Sequence, residues 1–307
     1  MISDIFYWIL NLSILGSLAG FIIMLIRRIR FFPRFAIYVL WFLPLVRFWI
    51  PIGMAYEYSL LNLISRYTTK TIIVWKTLLK TPEFTMTNSI QAAQSYFPIV
   101  YKTELLQDIF TIAGIIWLVI LIVILLCSIV LYIFTKSKLK NALHIKDNIY
   151  HSNDILSPLV YGVFKPKIIL PCDVQNENLE YILQHEFVHI RRHDNLWRVI
   201  AITTACVHWF NPLSWIFLNF FFDDMELACD SGVLKKITVV NKKKYASILL
   251  DFAPKKTYYI SSFSGTKTKQ RIENILSYKK LTLFSGLCFM ILFLTIVVTV
   301  ITNAVGR

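Results

Sequence analysis

The sequence predicts a multi-pass α-helical membrane protein into which a cytoplasmic α+β domain is inserted. Of its 307 residues, 56% are hydrophobic and 15% are aromatic, which is too apolar for a soluble protein of this length. Four runs carry little or no charge and are long enough to cross a bilayer, which takes about 20 helical residues. Most of the positive charge is gathered in two segments that flank these runs.

The four predicted spans are residues 5–26, 35–56, 109–134 and 281–304. The first span has no basic segment before it and is followed by two arginines. We therefore interpret it as a retained anchor and not as a cleaved signal peptide. Arg47 lies within the second span, where a charge is costly unless it is paired, so we expect it to contact another span.

The charge distribution predicts the orientation of the chain in the membrane. Segments 27–34 and 135–280 hold 25 of the 32 Lys and Arg residues, and four spans place both segments on one side, which the positive-inside rule makes the cytoplasm. The net charge of +14 therefore indicates a membrane surface and not a nucleic-acid partner. We therefore predict the following order of parts. Residues 1–34 form the first span and a cytoplasmic loop, 35–56 the second span, 57–108 an external loop and 109–134 the third span. Residues 135–280 form the cytoplasmic domain, and 281–307 form the fourth span with a short external C-terminus.

The segment His185-Glu186-Phe187-Val188-His189 predicts a zinc site in the cytoplasmic domain. Two histidines four residues apart on a helix project from one face, as a tetrahedral zinc site with an open position requires. Glu186 would stand beside the metal, where it can take a proton from water. Glu226 would complete a two-histidine, one-carboxylate ligand set of the gluzincin type, and Asp230, four residues on, could accept the free N–H of a ligand histidine.

The apolar stretch 196–222 is long enough to cross the membrane as one helix. A single crossing would place His185 and Glu226 on opposite sides, where they could not share a metal ion. Proline breaks helical hydrogen bonding, so we predict two helices joined at Asn211-Pro212, partly sunk in the membrane or packed on the spans. The five cysteines form no CxxC pair, and we expect no disulfide in this compartment.

Two further segments bear on how a substrate would bind. Residues 157–171 predict two short strands around a turn at Gly162, which prolines confine to edge positions. Such an edge could hold an extended peptide, or it could be a plain hairpin covering the core. Residues 253–270 are rich in Ser, Gly and Lys and predict a linker. We predict self-cleavage there, near Ser262-Phe263, because polar flexible segments are the ones that proteases extend.

The order of these parts resembles the BlaR/MecR-type membrane zinc metallopeptidases, the antirepressors of β-lactam resistance operons. The matching residues are Trp41, Arg47, Pro51, Pro158, Gly162, Pro166, Pro171, His185, Glu186, His189, Asp194, Asn211, Pro212, Trp215, and Glu226 to Asp230. The resemblance implies a bacterial cell-membrane protein whose active site faces the cytoplasm. It implies one Zn²⁺ on His185, His189 and Glu226, catalysis by Glu186, and supporting roles for Asp194 and Asp230. Members of this family cut a winged-helix DNA-binding repressor, themselves, or both.

The sequence departs from this resemblance at its end. Members that sense β-lactams carry an outer penicillin-binding domain after the fourth span, and the sequence ends at Arg307. We therefore expect no sensing by covalent acylation; a signal would come through the 57–108 loop, a separate sensor protein or the membrane. A homodimer is left open. The alternatives are a housekeeping peptidase for damaged membrane proteins and a non-enzymatic membrane partner. His193, His208 and Tyr245 are unranked candidates for stabilising an oxyanion.

Overall fold

We describe the protein from a computed structural model, which describes residues 2–29, 32–50, 59, 62, 104–172, 174, 176–235, 241–251, 261–278 and 283–302. Within these ranges the chain is mostly helical and carries one four-stranded sheet. The helices are α1 Ile2–Ile26, α2 Arg34–Leu40, α3 Phe42–Trp49, α4 Glu104–Lys138, α5 Asn176–Arg191, α6 Asp194–Val207, α7 Pro212–Leu234, α8 Asn241–Asp251, α9 Ser261–Leu276 and α10 Leu283–Ile301. The strands are β1 Leu143–Lys146, β2 Ile149–Ser152, β3 Leu159–Tyr161 and β4 Lys167–Pro171.

Two helices are long and apolar enough to cross a membrane, judged by length and composition. They are α1 and α4, which contain the first and third predicted spans. The fourth predicted span contains α10, whose apolar part, Gly286–Ile301, is shorter. Most of the predicted external loop, residues 57–103, lies outside the described residues apart from Ser59 and Asn62.

The second predicted span is not one helix. It forms α2 and α3, which meet at Trp41, and residues 51–56 lie outside the described part of the chain. The break follows from Pro44, which has no N–H to donate to the carbonyl of Leu40, four residues earlier. Within the second predicted span the helix is therefore interrupted at Trp41.

The main apolar core lies between α1, α2, α3, α7 and α10. Its largest fully buried side chain is Trp41, and two glycines of α1 let neighbouring aromatic rings approach. A Cβ atom at Gly16 would lie 2.5 Å from the Phe48 ring, and one at Gly20 would overlap Phe217. Glycine at these positions therefore sets the distance at which α1 packs on α3 and α7.

Arg47 connects α3 to the C-terminal end of α10. Its side chain is 2% exposed; Nε donates to the carbonyl oxygen of Val300 at 2.7 Å, and a terminal nitrogen donates to that of Thr302 at 3.0 Å. These bonds satisfy the guanidinium in apolar surroundings. The expectation that Arg47 contacts another predicted span is confirmed.

The sheet has the order β1-β2-β4-β3, with β2 and β4 parallel and the other two pairs antiparallel. The hairpin of β3 and β4 turns at Gly162, whose φ of +96° favours glycine. Of these two strands β3 is at an edge of the sheet and β4 is internal, so the predicted edge position was wrong for β4. Pro166 and Pro171 are tolerated because one precedes β4 and the other ends it.

The predicted break at Asn211-Pro212 is confirmed, since α6 ends at Val207 and α7 begins at Pro212. The side-chain oxygen of Asn211 accepts the N–H of Leu213 at 3.0 Å and caps α7, and proline fits the first position of a helix. The predicted linker was wrong over residues 261–270, which belong to α9. Residues 252–260 lie outside the described part of the chain.

Candidate active site

The site lies where α5, α7, α8 and α9 meet β3. The two histidines of α5 project from the same face because they are four residues apart. Their Nε2 atoms are 3.2 Å apart, and both side chains are buried. Glu226, from α7, faces both rings: its carboxylate oxygens lie 3.5 Å from Nε2 of His185 and 3.6 Å from Nε2 of His189.

These three donors fit a metal ion. Nitrogen and oxygen ligands at about 2.0–2.2 Å in a tetrahedral zinc site lie about 3.3–3.6 Å apart. The two Nε2 atoms are 3.2 Å apart, and each lies within 3.6 Å of a different oxygen of the Glu226 carboxylate. The donors come from two helices that other contacts hold in place. His185, His189 and Glu226 could therefore bind one metal ion without rearrangement of the backbone.

Cys229 offers a competing donor, because its sulfur and the two histidine rings also bring ligand atoms within 4.8 Å of one another. Its sulfur, however, lies 3.6 Å from Nδ1 of His185, the ring nitrogen that faces away from His189. It also donates to the carbonyl oxygen of His185 at 3.3 Å. Both Nε2 atoms lie next to Glu226, whereas the sulfur of Cys229 lies beside Nδ1 of His185.

The Nδ1 atom of each histidine is held by a partner of its own. Nδ1 of His189 lies 2.6 Å from Oδ2 of Asp194, the residue for which the family resemblance implies a supporting role. Nδ1 of His185 lies 2.8 Å from the hydroxyl of Tyr245, which donates to Asp230 Oδ1 at 2.8 Å. Asp230 is itself 3.4 Å from the ring, so its support of His185 passes mainly through Tyr245. Such partners fix the ring orientation of metal-binding histidines.

The electrostatics of the site favour a positive charge between these groups. Burial lowers the pKa of His189, but Cys229, Glu226 and Asp194 outweigh burial and hold it well above the ordinary 6.5. Burial raises the pKa of Glu226, but His189, His185 and Arg271 outweigh it and hold it well below 4.5. A divalent cation would meet the same set of electronegative donors.

Two arginines that the sequence did not indicate as site residues complete the cluster. Arg271, from α9, binds Asp230 through two hydrogen bonds of 2.8 Å and lies 3.5 Å from Glu226 Oε2. Arg198, from α6, donates to Glu226 Oε1 at 2.9 Å. Arg198 could have been identified from the sequence, because it is the lone arginine in the apolar stretch 196–222. No comparable indication in the sequence pointed to Arg271, because this residue follows the segment predicted to be a linker.

Glu186 is 7% exposed and lines a cavity of about 330 Å³ beside the two histidines. The cavity extends from β3 across α5 to α8 and α9. Its lining includes Ser157, Pro158, Leu159, Val160, Tyr181, Ile182, His185, Glu186, His189, Arg198, Glu226, Tyr245, Ile248, Leu249, Thr268 and Arg271. A carboxylate beside the metal donors and a cleft with an edge strand are the parts that peptide hydrolysis needs.

Of the three oxyanion candidates, only Tyr245 lies in the site. Burial, Asp230 and Cys229 raise the pKa of Tyr245 well above 10, so it stays a neutral hydroxyl donor, and that proton is directed to Asp230. His208 lies beyond the end of α6, where Nε2 contacts the carbonyl oxygen of Phe48 at 3.2 Å. His193 is exposed at the corner between α5 and α6. Neither His193 nor His208 is among the residues that line the cavity.

Comparison with known proteins decides the family. Residues 7–276 match the BlaR1 peptidase M56 family. The chain belongs to the BlaR1 peptidase M56 family. Membership makes it a protein of BlaR/MecR type and implies a metallopeptidase, in agreement with the donor cluster between α5 and α7.

Individual relatives of the M56 chain agree with this assignment. The regulatory protein BlaR1 of Bacillus licheniformis is 31% identical over 150 residues, which cover 48% of this chain and 23% of the relative. The methicillin resistance mecR1 protein of Staphylococcus aureus is 28% identical over 141 residues, 42% of this chain and 24% of the relative. BlaR1 of Staphylococcus aureus is 25% identical over 199 residues, which cover 55% of this chain and 34% of the relative. The matched regions thus cover at most about a third of these relatives.

Proposed function

We propose that this M56 protein is an integral-membrane zinc endopeptidase that transduces a signal by cutting a cytoplasmic repressor, itself, or both. The observation that carries the proposal is the convergence of His185, His189 and Glu226, with Glu186 beside them, on one cavity. The regulatory and methicillin-resistance names of the relatives support a signalling role. A winged-helix DNA-binding protein is the proposed substrate, and direct binding of nucleic acid is not proposed.

The residues of the site would divide the chemistry as follows. His185, His189 and Glu226 would hold one zinc ion, which supplies a Lewis acid for the scissile carbonyl and lowers the pKa of water to about 7. Glu186 would take the proton from the attacking water and give it to the leaving amine. Asp194 would orient His189, and Asp230 would orient His185 through Tyr245.

The substrate would add as an extended strand beside β3. The first two residues of this strand and the two residues before it, Ser157 to Val160, line the cavity next to the two histidines. Further along, the side-chain amide of Asn195 donates to the carbonyl oxygens of Val160 and Gly162 at 3.0 and 2.9 Å. Since those acceptors are already used, main-chain pairing with a substrate would be confined to the part of the edge before Tyr161.

The membrane arrangement belongs to the same proposal. Four spans at residues 5–26, 35–56, 109–134 and 281–304 would leave 57–108 outside and the 135–280 domain, with its active site, in the cytoplasm, because the basic segments then lie on one side. Cysteine-accessibility labelling in intact cells tests this. Labels on positions 145, 195 and 240 should require membrane permeabilisation, and labelling of position 195 from outside would contradict it.

Self-cleavage near Ser262-Phe263 remains part of the proposal, with one change of mechanism. The bond lies in the first turn of α9 and not in an extended linker. Proteases bind extended backbone, so this turn would have to unwind before it could enter the cavity, which a terminal turn does at low cost. Mass spectrometry should find a fragment that ends here in the wild type and not in a Glu186→Gln variant.

Metal analysis of the purified full chain tests the core of the proposal. The wild type should bind one zinc ion, the His185→Ala/His189→Ala variant none, and Glu186→Gln one. Proteolysis should be lost in both variants, in the first because the metal is missing and in the second although the metal is bound. His193→Ala is the matched control, because His193 is an exposed histidine at the end of the same helix. Unchanged zinc in the double variant would refute the ligand assignment, and cleavage by Glu186→Gln would refute the assigned base.

A further inference from the structure

Two buried side chains, Tyr38 in α2 and Trp41 at the C-cap of α2, reach carboxylates next to the candidate metal ligands. The hydroxyl of Tyr38 donates to Asp194 Oδ1 at 3.0 Å, and the indole nitrogen of Trp41 donates to Asp224 Oδ2 at 2.8 Å. All four side chains are at most 3% exposed. Tyr38 and Trp41 are three residues apart and belong to the second predicted span, more than 140 residues before the site.

The first contact leads to His189. One oxygen of Asp194 accepts from Tyr38, and the other lies 2.6 Å from Nδ1 of His189. Arg192 completes the surroundings: it lies 3.2 Å from Asp194 Oδ1, and its guanidinium stacks 4.4 Å above the Tyr38 ring. The orientation of Asp194 fixes the histidine ring, and Tyr38 is one of two groups that fix Asp194.

The second contact leads to Glu226. Asp224 lies on α7 two residues before Glu226, and it also accepts from Nε of Arg27 at 2.7 Å, at the end of α1. Bonds from Arg27 and Trp41 to one buried carboxylate resist rotation and sliding of α7 against α1 and α2. Arg192 donates to the carbonyl oxygen of Met225 at 3.3 Å and so joins this path to the first.

We propose that Tyr38 and Trp41 are positioning residues for the metal site, Tyr38 through Asp194 and Trp41 through Asp224. The inference rests on the proposed function, because it takes His185, His189 and Glu226 as the metal ligands. One short helix of the apolar core then holds both ligand-bearing helices, α5 and α7. A shift of α2 would change the position of a histidine ligand and of the carboxylate ligand together, which is how a signal at the second span would reach the zinc site.

The test compares Tyr38→Phe with the wild-type full chain in lipid nanodiscs. The substitution removes one hydroxyl and keeps the ring beneath Arg192. Partners of metal-binding histidines typically change metal affinity about 10- to 100-fold, so we expect Zn²⁺ affinity, measured by chelator competition, to fall about 10-fold. The visible absorption of the Co²⁺ form, which reports ligand geometry, should also shift. Tyr132→Phe is the control, because Tyr132 lies on α4 and stacks on Tyr161 instead.

A double-mutant cycle separates positioning from general stability. If Tyr38 acts through Asp194, the Tyr38→Phe/Asp194→Asn protein should bind Zn²⁺ no more weakly than Asp194→Asn alone. Trp41→Phe and Asp224→Asn form a second, independent cycle that serves if either Tyr38 variant does not fold. Wild-type affinity and an unchanged Co²⁺ spectrum in Tyr38→Phe, or additive losses in both cycles, would overturn the inference. Failure of the wild type to bind Zn²⁺ would overturn the proposed function as well.

Discussion

Removing the guanidinium of Arg271 should strongly destabilise the part of the protein that carries the candidate metal site, and Arg271→Met is the variant to examine. The side chain makes two hydrogen bonds of 2.8 Å to Asp230, which is 1% exposed, and lies 3.5 Å from Glu226. Without it, Asp230 keeps the hydrogen bond from the neutral Tyr245 and the longer contact of 3.4 Å with Nδ1 of His185, but no guanidinium. Breaking a buried ion pair from one side costs about 3–5 kcal/mol, because it leaves an uncompensated charge.

The expected loss for Arg271→Met lies at the lower end of that range, about 3 kcal/mol, because the Arg271 side chain is 23% exposed and water screens part of the interaction. For a unit of about 150 residues this corresponds to a fall in thermal midpoint of roughly 6–12 °C. The assay is thermal unfolding of the full chain in nanodiscs, followed by tryptophan fluorescence, with a chelator present so that bound metal does not contribute.

Lys269→Met is the matched control for the Arg271 experiment. Lys269 is on the same helix, and its ion pair with Glu273, at 3.9 Å, joins side chains that are 78% and 64% exposed. Its loss should change the stability by less than about 0.5 kcal/mol. A second variant, Arg271→Met/Asp230→Asn, should be more stable than Arg271→Met, because it no longer buries an unpaired charge. Equal midpoints for Arg271→Met and Lys269→Met, or further destabilisation in the double variant, would refute the reasoning.

Three further outcomes follow from contacts elsewhere in the structure. Asn211→Ala should lower the thermal midpoint by several degrees. It removes the cap of α7 and two hydrogen bonds to Ser13 and Ser17 of α1, each of about 1 kcal/mol. The control Asn219→Ala, on the exposed face of α7, should change the midpoint little. Gly16→Ala should destabilise the protein by about 1–3 kcal/mol, because the added Cβ overlaps the Phe48 ring. Adding Phe48→Leu to this variant should recover part of the lost stability. Unchanged stability of Gly16→Ala would show that α1 and α3 can separate freely. Asn195→Ala should remove the hydrogen bonds to the carbonyl oxygens of Val160 and Gly162. Amide hydrogen exchange at the β3–β4 turn should therefore rise, while exchange at β2 stays unchanged. Equal exchange at the turn in the variant and the wild type would show that Asn195 does not hold this edge.

The sequence could predict those parts of the site that follow local periodicity. The four-residue spacing of His185 and His189 places them on one face of any helix, and Asn211-Pro212 breaks any helix that runs through it. The structure agrees with both inferences. The topological argument that the apolar stretch cannot cross the membrane once also required this break, so two independent lines led to the same prediction.

The parts that could not be predicted depend on tertiary contacts over long sequence separations. Tyr38 meets Asp194 across 156 residues, and Arg271 meets Asp230 across 41. Neither pair leaves a periodic signal. The segment from Ser261 onward is rich in Ser, Thr and Lys, which favours a linker by composition, yet it is helical because Ile272 and Ile275 pack against α7 and α8. Tertiary packing outweighed the weak local propensity there.

The length of α7 has a mechanical consequence for metal binding. This single helix of 23 residues starts in the apolar core at Pro212 and carries Glu226 near its other end. Fourteen residues of α-helix span about 21 Å, so a tilt of one degree about Pro212 moves Glu226 by about 0.4 Å. Metal–ligand distances tolerate only about 0.2 Å. With Glu226 as the proposed metal ligand, a tilt of α7 by one degree would therefore change the metal–carboxylate distance by more than this tolerance.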